Sequence, residues 1–502
     1  MTQWGSFLFL GAVLVVIGGI AGVFGGDYEI GGVTVHIPDL ATIAERDTTA
    51  GESISVEEQM RRAEEATRLR AAEMEDSIRQ VYDAHAKTMT ENISAGKSAM
   101  HKVDSIRFSA SDSARLYRHF FTTSDVAISY PGNDPSYLFP ALRAMRGATD
   151  HVVSVFHYGD SQIEADRITH LLRDSLQAMF GGSGPGVLPL WQPIPTRSVK
   201  QSLSDSVSTF FAGGIMGSRG KVNRYGARQI ASHLAGQEVT MNITSNDNKS
   251  YSHVRVYAGK VGELTVTVNK ETKVVKKAKE GVEYLDWTFK ARKEIEIDLG
   301  GTAEIYGVEV DGGKGVSVTN VPLRGSDGLY FSRCDEKTLS QMLRSLNTRL
   351  ILLEFGGNAL PVLTDSAGVR KYADGFGRQI ALLQRLCPEA SMIMIGPADM
   401  SVKVGTKMQT HELLPYLTKE LRRTSMEHGI AYWDMYTVMG GWNSMPAWVE
   451  HKPAWAAPDY IHFTIRGAHR IATILWRNIL MTYNYMELRE RLGGDEGEAS
   501  EQ

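Results

Sequence analysis

Residues 151–180 read HVVSVFHYGDSQIEADRITHLLRDSLQAMF, and the change of texture inside this stretch decides the fold. HVVSVFHY has the β-branched and aromatic content of a strand buried on both faces. GDS makes a turn, after which Ile168, Leu171, Leu172, Leu176 and Met179 recur at helical spacing. A strand, a tight turn and a helix are predicted in direct succession. The pattern returns further along: TRLILLEFGGN (348–358), ASMIMIGPAD (390–399) and GIAYWDMY (429–436) are near-continuous apolar runs, with helical segments at 371–386 and 411–428. Strands that alternate with helices predict a parallel sheet covered on both faces, a three-layer α/β/α domain.

Between these halves the periodicity changes. HVRVYAG, ELTVTVN, KEIEIDLG and AEIYGVEVDG alternate apolar with polar and are separated by Gly, Asn and Lys turns, which predicts an inserted β-sandwich over 187–320. The α/β domain is therefore expected as 126–186 and 321–490. GGSGPG at 181–186 leads the chain into the insert, and the acidic tail 491–502 is expected to be disordered.

The front of the chain differs again. From Trp4 to Phe24 there is no charged residue, and about 20 apolar residues suffice for a helix to cross a hydrocarbon core. No Lys or Arg precedes this run and no small-residue cleavage box follows it, so an uncleaved transmembrane anchor over 1–26 is expected. With a single span at the start, the remainder is expected to be exported, periplasmic or extracellular. Residues 27–125 are read as a linker and a helical stalk, with Met74, Ile78 and Val81 on one face of a charged helix.

With 54 Lys+Arg against 58 Asp+Glu, the net charge of -4 gives no footprint for a nucleic-acid partner. Cys334 and Cys387 allow at most one disulfide and lack the paired spacing of a metal site. His462 and His469 lie near Asp459 without any H-E-x-x-H arrangement, so neither a metal nor an organic cofactor is expected.

A parallel sheet binds ligands beyond the carboxyl ends of its strands, and three strand ends are unusual. Gly159-Asp160-Ser161 puts a hydroxyl between a strand and a helix start, where unpaired N–H groups face developing negative charge. Near the end of the chain, Asp459-Tyr460-Ile461-His462 offers an imidazole and a carboxylate to orient it; Gly356-Gly357-Asn358 offers an amide donor. Each has a plainer reading: an N-cap, a surface turn, a strand-end turn. Together they supply nucleophile, base, orienter and oxyanion donor. His157, inside the strand, reads as a core or supporting histidine.

HYGDSQIEADRIT around Ser161, the glycine of VPLRGSDG, GGN at 356–358 and DYIHFT at 459–464 resemble the four blocks of the SGNH, or GDSL-type, hydrolases. The resemblance covers about 130–186 and 321–480. It implies Ser161 as nucleophile, His462 as base and Asp459 as its partner. The N–H groups of Ser161 and Gly325 with the Asn358 amide would form the oxyanion hole; Gly328 stands close to Gly325. Gln162 occupies a position where many members have Leu, and Ala359 one where many have Asp. The place of the insert is similar to that in Gram-negative peptidoglycan O-acetylesterases, where it resembles a carbohydrate-binding module. Its aromatics, Trp191, Tyr251, Tyr257, Tyr284, Trp287 and Tyr306, are candidates for stacking on sugars, with the sandwich core as the competing role.

The expected activity is a membrane-anchored serine esterase that removes O-acetyl groups from a cell-envelope or extracellular glycan. Two alternatives use the same sequence: a polysaccharide O-acetyltransferase beside a membrane acetyl exporter, and a non-catalytic glycan-binding envelope protein.

Overall fold

A computed structural model describes residues 26–30, 33–37, 110–217, 223–276 and 281–493. The chain divides into two compact units, Met1–Arg107 and Phe108–Gln502. In the first, Gly26–Ile30 pairs antiparallel with Val33–Ile37, inside the stretch read as linker. The anchor over 1–26, apart from Gly26, the stalk helix near 55–97 and the tail beyond Gly493 lie outside the described residues. Among the described residues no helix is long and apolar enough to cross a membrane.

The second unit holds the expected three-layer domain. Its strands are β1 (Val152–Gly159), β10 (Gly315–Pro322), β11 (Thr348–Glu354), β12 (Ser391–Ile395) and β15 (Ala431–Trp433), joined in the order β10-β1-β11-β12-β15, all parallel. Counted among themselves they run 2-1-3-4-5, with β1 at the point where the order reverses. Their apolar runs are continuous because both faces are buried. Val153 and Val155 of β1, Leu350 and Leu352 of β11, and Ile393 of β12 face one core. Phe156, Tyr158, Ile351, Leu353 and Met394 face the other. Helices α1 (Ala110–Thr123), α2 (Phe139–Arg146), α3 (Thr169–Phe180) and α9 (Ile465–Gly493) cover the first; α4 (Glu336–Ser345), α5 (Ser366–Leu386) and α6 (Leu414–Glu427) cover the second.

Two boundaries differ from expectation. Helix α1 falls in the stretch read as stalk, yet Phe121 is buried against Tyr130 and Tyr485 of the globular unit, at centroid distances of 5.6 and 6.2 Å. Strand β10 begins at Gly315, so the parallel sheet resumes before the expected limit at 320. Its VSVTNV alternates β-branched and polar residues and so reads like the insert, but its Ser317, Thr319 and Asn320 are buried, the last two in hydrogen bonds to Val187 N–H and Thr169 Oγ1.

The insert comprises β2 (Gly186–Leu188), β3 (Val199–Leu203), β4 (Ser208–Phe211), β5 (Ile230–Ser245), β6 (Tyr251–Val268), β7 (Glu271–Val275), β8 (Glu283–Arg292) and β9 (Glu294–Asp311). These form one eight-stranded antiparallel hydrogen-bonded network in place of the two separate sheets of a sandwich. The cause is strand length: β5, β6 and β9 run 16, 18 and 18 residues. Strand β9 shifts register against β5 at Gly300/Thr302 and against β6 at Thr302/Glu304 and Ile305/Gly307, and such bulges bend strands without breaking the ladder. The insert shares a buried cluster with the α/β domain, since Tyr257 and Tyr306 pack in the same core as Met342 of α4.

One buried ion pair ties three parts of the unit together. Arg173 on α3, 2% exposed, donates through Nη1 and Nη2 to Asp166 at 2.5 and 3.0 Å and through Nε to the Val318 carbonyl of β10 at 2.9 Å; Ser198 Oγ also donates to Asp166, at 2.7 Å. Removing one partner leaves a buried charge unpaired. Arg173→Leu is predicted to lower stability by about 3–5 kcal/mol in a denaturant titration. Asp166→Leu combined with it should recover part of the loss. A loss below about 1 kcal/mol would mean that the pair behaves as an exposed one.

Candidate active site

The crevice at a parallel sheet's switch point lies beyond the carboxyl ends of the strands flanking it, here β1 and β11. Gly159 and Glu354 end those strands side by side. The Gly-Asp-Ser turn is indeed an N-cap, but the cap is Asp160, whose Oδ1 accepts the Gln162 N–H at 2.9 Å. The Ser161 hydroxyl is not used in capping. It lies 2.8 Å from His462 Nε2.

His462 is oriented from the other side. Asp459 Oδ2 is 2.7 Å from His462 Nδ1, while Asp459 Oδ1 accepts the N–H groups of Ile461 and His462 at 2.9 and 3.0 Å. A carboxylate facing Nδ1 fixes the proton there and leaves Nε2 as an acceptor toward the serine. Partial burial would raise the Asp459 pKa, but these three hydrogen bonds and the imidazole outweigh it and hold the group below its ordinary value. Asp459 therefore stays charged at neutral pH.

The two glycines of the glycine block differ in what their N–H groups do. Leu323–Ser326 is a turn closed by the Ser326 N–H on the Leu323 carbonyl at 2.9 Å, with Gly325 at φ +71, the geometry that favours glycine. A Cβ there would meet Ile215 Cγ2 at 2.6 Å. Gly328 also has positive φ, but its N–H is spent on Ser326 Oγ at 3.1 Å. No partner among the described residues takes the N–H of Gly325 or of Ser161.

Asn358 reaches the site, with its amide engaged. Nδ2 donates to Asp160 Oδ2 at 2.8 Å and to the Ser326 carbonyl at 3.3 Å. Burial pushes the Asp160 carboxyl up to about 7, against the Gln162 N–H, which lowers it, with Glu354 adding to the rise. Behind it, His157 bridges Glu354 Oε2 at 3.0 Å and Thr169 Oγ1 at 2.8 Å, the supporting position expected for it.

Two residues escaped the sequence reading. Gln162 is a clamp: its Nε2 donates to the Ile461 carbonyl at 2.6 Å and its Oε1 accepts the Phe463 N–H at 3.4 Å. The residue after Ser161 thus grips the backbone on both sides of His462. Its departure from the common leucine was the available signal. Asp399 follows β12 and lines the same pocket as Ser161; it is fully buried and its Oδ1 has no partner. The rule of inspecting every strand end would have reached it. The pocket, of about 180 Å³, is otherwise walled by Phe355, Pro397, Met400 and Met435.

Among the described residues His170, Asp174 and Asp247 could converge on a metal ion, but they stand outside this pocket and Lys249 already pairs with Asp174. Of the insert's aromatics, Tyr251, Tyr257, Trp287 and Tyr306 are core, whereas Trp191 and Tyr284 remain 38% and 51% exposed.

Among solved structures, a peptidoglycan O-acetylesterase superposes with a TM-score of 0.60 and 21% identity, covering 71% of this chain and 99% of the other. That likeness is one of fold. A family two carbohydrate esterase from Cellvibrio japonicus gives a TM-score of 0.25 at 10% identity over 58% of this chain and 99% of its own, too distant to carry an argument. No family model matches the chain, and no curated protein does.

The clamp can be tested without a substrate. Gln162→Leu removes both backbone grips, and displacements of about 1 Å in such sites cost roughly 100-fold. Labelling of Ser161 by a fluorophosphonate is predicted to slow by about 10- to 100-fold with the melting temperature little changed. An unchanged labelling rate would show that the base holds its place without Gln162.

Proposed function

We propose that this protein is a serine esterase that removes O-acetyl groups from a cell-envelope or extracellular polysaccharide of peptidoglycan type. The observation that carries this reading is the unbroken chain from Ser161 Oγ through His462 to Asp459, at 2.8 and 2.7 Å. The fold it shares with a solved peptidoglycan O-acetylesterase supports the substrate class.

In this reading Ser161 Oγ attacks the acetyl carbonyl carbon as His462 Nε2 takes its proton. The carbonyl oxygen becomes an oxyanion held by the Ser161 and Gly325 N–H groups and by Asn358 Nδ2, released from Ser326. Such donors cost no reorganisation at the moment of reaction. Asp459 stabilises the imidazolium without accepting its proton. The imidazolium then protonates the departing sugar oxygen, leaving acetyl on Ser161. Water attacks this ester, giving its proton to His462, and acetate leaves as the proton returns to Ser161 Oγ.

The pocket suits a short acyl group. At about 180 Å³ with apolar walls it is smaller than the roughly 300–1,000 Å³ of sites that enclose larger ligands. The apolar run Trp4–Phe24 would tether the enzyme to a membrane with its catalytic unit exported.

Purified protein is predicted to release acetate from O-acetylated peptidoglycan, and Ser161→Ala to reduce turnover by about 10⁴-fold or more. Activated esters should lose activity steeply as the acyl chain lengthens beyond a few carbons. Acetate release by Ser161→Ala at the wild-type rate would refute the mechanism. Acetylated oligosaccharide as the main product, with an acceptor present, would replace hydrolysis by transfer.

A further inference from the structure

A second pocket, of about 270 Å³, lies between the insert and the turn that carries Gly325. One wall is apolar and partly open to solvent: Trp191 is 38% exposed, Ile215 71% and Met216 45%, with Phe211 edge-on to the Trp191 ring at a centroid distance of 6.4 Å. The other holds Arg228, which is 3% exposed. Neither Nε nor Nη1 of Arg228 has a hydrogen-bond partner, and no carboxylate among the described residues pairs with it.

A buried guanidinium without a partner is costly, and buried charges are ordinarily paired. The two other charged groups in this lining cannot supply one. Glu164 and Arg324 satisfy each other through two bonds of 2.7 Å. Burial pushes the Arg228 pKa down to about 10, which still leaves it cationic at neutral pH. The pocket wall therefore carries a fixed positive charge on a planar guanidinium, the group whose fork of N–H donors matches a carboxylate in shape, with Nε and Nη1 themselves shielded from solvent. Beside it stands an indole face of the kind on which the apolar side of a sugar ring packs.

The pocket adjoins the reaction site. Ile215 donates its N–H to the Arg324 carbonyl at 2.8 Å, next to Gly325, and Glu164 lies in the same short helical turn as Ser161. A ligand in this pocket is thus close to one whose ester sits at Ser161.

We propose that this pocket binds a carboxylate-bearing sugar residue of the glycan chain, with the carboxylate on Arg228 and the ring against Trp191. This rests on the esterase reading and extends it: the preferred polymer carries carboxylates near its acetyl groups. A neutral acetylated glycan leaves the guanidinium as it found it.

The test uses the full chain with Ser161→Ala, so that binding is read without turnover. Two acidic probes are titrated by calorimetry: a muramic acid-containing glycan with free lactyl carboxyls, and a galacturonic acid oligosaccharide. Each is compared with its carboxyl-reduced, neutral counterpart. At least one acidic probe is expected to bind about tenfold or more tighter than its counterpart, and Arg228→Met to erase the difference. Removal of an unpaired buried cation is also expected to leave the melting temperature unchanged or raised, whereas loss of a structural ion pair would lower it. Should Arg228→Met fail to fold, Arg228→Lys, which keeps the charge but loses the fork, is expected to shrink the preference. Equal binding of acidic and reduced probes overturns the proposal, as does a preference that survives Arg228→Met. If the acidic probes win but the parent enzyme releases no acetate from any acetyl ester, the pocket stands and the esterase reading falls. If acetate is released without any carboxylate preference, the reverse holds.

Discussion

The hydrogen bond between Ser161 Oγ and His462 Nε2 joins residues 301 positions apart, and the rest of the site is arranged around it. Bringing such distant groups within 2.8 Å has a large cost in chain entropy, and the fold meets it in stages. Strand β1, buried between β10 and β11, delivers the serine to the sheet's switch point. At the other end, α9 packs along the same core as α3 and fixes where the histidine loop ends. The final ångström is set locally: Ala457 N–H to the His462 carbonyl at 2.7 Å, the Ile461 and His462 N–H groups to Asp459 Oδ1, and Gln162 to the residues flanking His462. Ser161 and His462 are thus neighbours through side-chain contact and also through the backbone around them.

The electrostatics of the site are lopsided in an informative way. Three carboxyls, on Asp160, Glu354 and Asp399, are buried close to the serine, and the first is pushed up to about 7 by that burial. The one carboxylate that must remain charged, Asp459, is instead kept half-exposed and is given three donors. Two acidic environments, opposite in effect, stand on either side of one hydroxyl. Across the Gly325 turn the sign reverses, because Arg228 is a buried cation without an anion. The near-neutral net charge of the chain conceals this local separation.

Much of this was legible in the sequence, for physical reasons. Strands buried on both faces leave continuous apolar runs, so β1, β11, β12 and β15 could be read directly, and the residues after them supplied Ser161 and Asn358. The pairing of an imidazole with a carboxylate at Asp459 and His462 could be read from the residues as well, and the motif resemblance added Gly325. Strand β10 was assigned to the wrong sheet because its Ser317, Thr319 and Asn320 imitate the alternation of a half-exposed strand, whereas all three are buried, Thr319 and Asn320 with their polar groups satisfied inside the core. The single bent sheet of the insert depends on bulges at Gly300 and Gly307, and local periodicity does not report which ladders continue through a bend. Gln162 and Arg228 depend wholly on contacts between distant segments. One is defined by which backbone it reaches, the other by a partner that no neighbouring segment provides.

The central claim is that Ser161, activated by His462 and Asp459, becomes acetylated during turnover. Rapid acid quenching of the enzyme with an activated acetyl ester, followed by mass spectrometry of its peptides, tests this most directly. The account predicts one acetyl group on the peptide containing Ser161, appearing before steady-state acetate release and absent from Ser161→Ala. Acetate release at full rate with that peptide unmodified, or with the acetyl group on another residue, would contradict it.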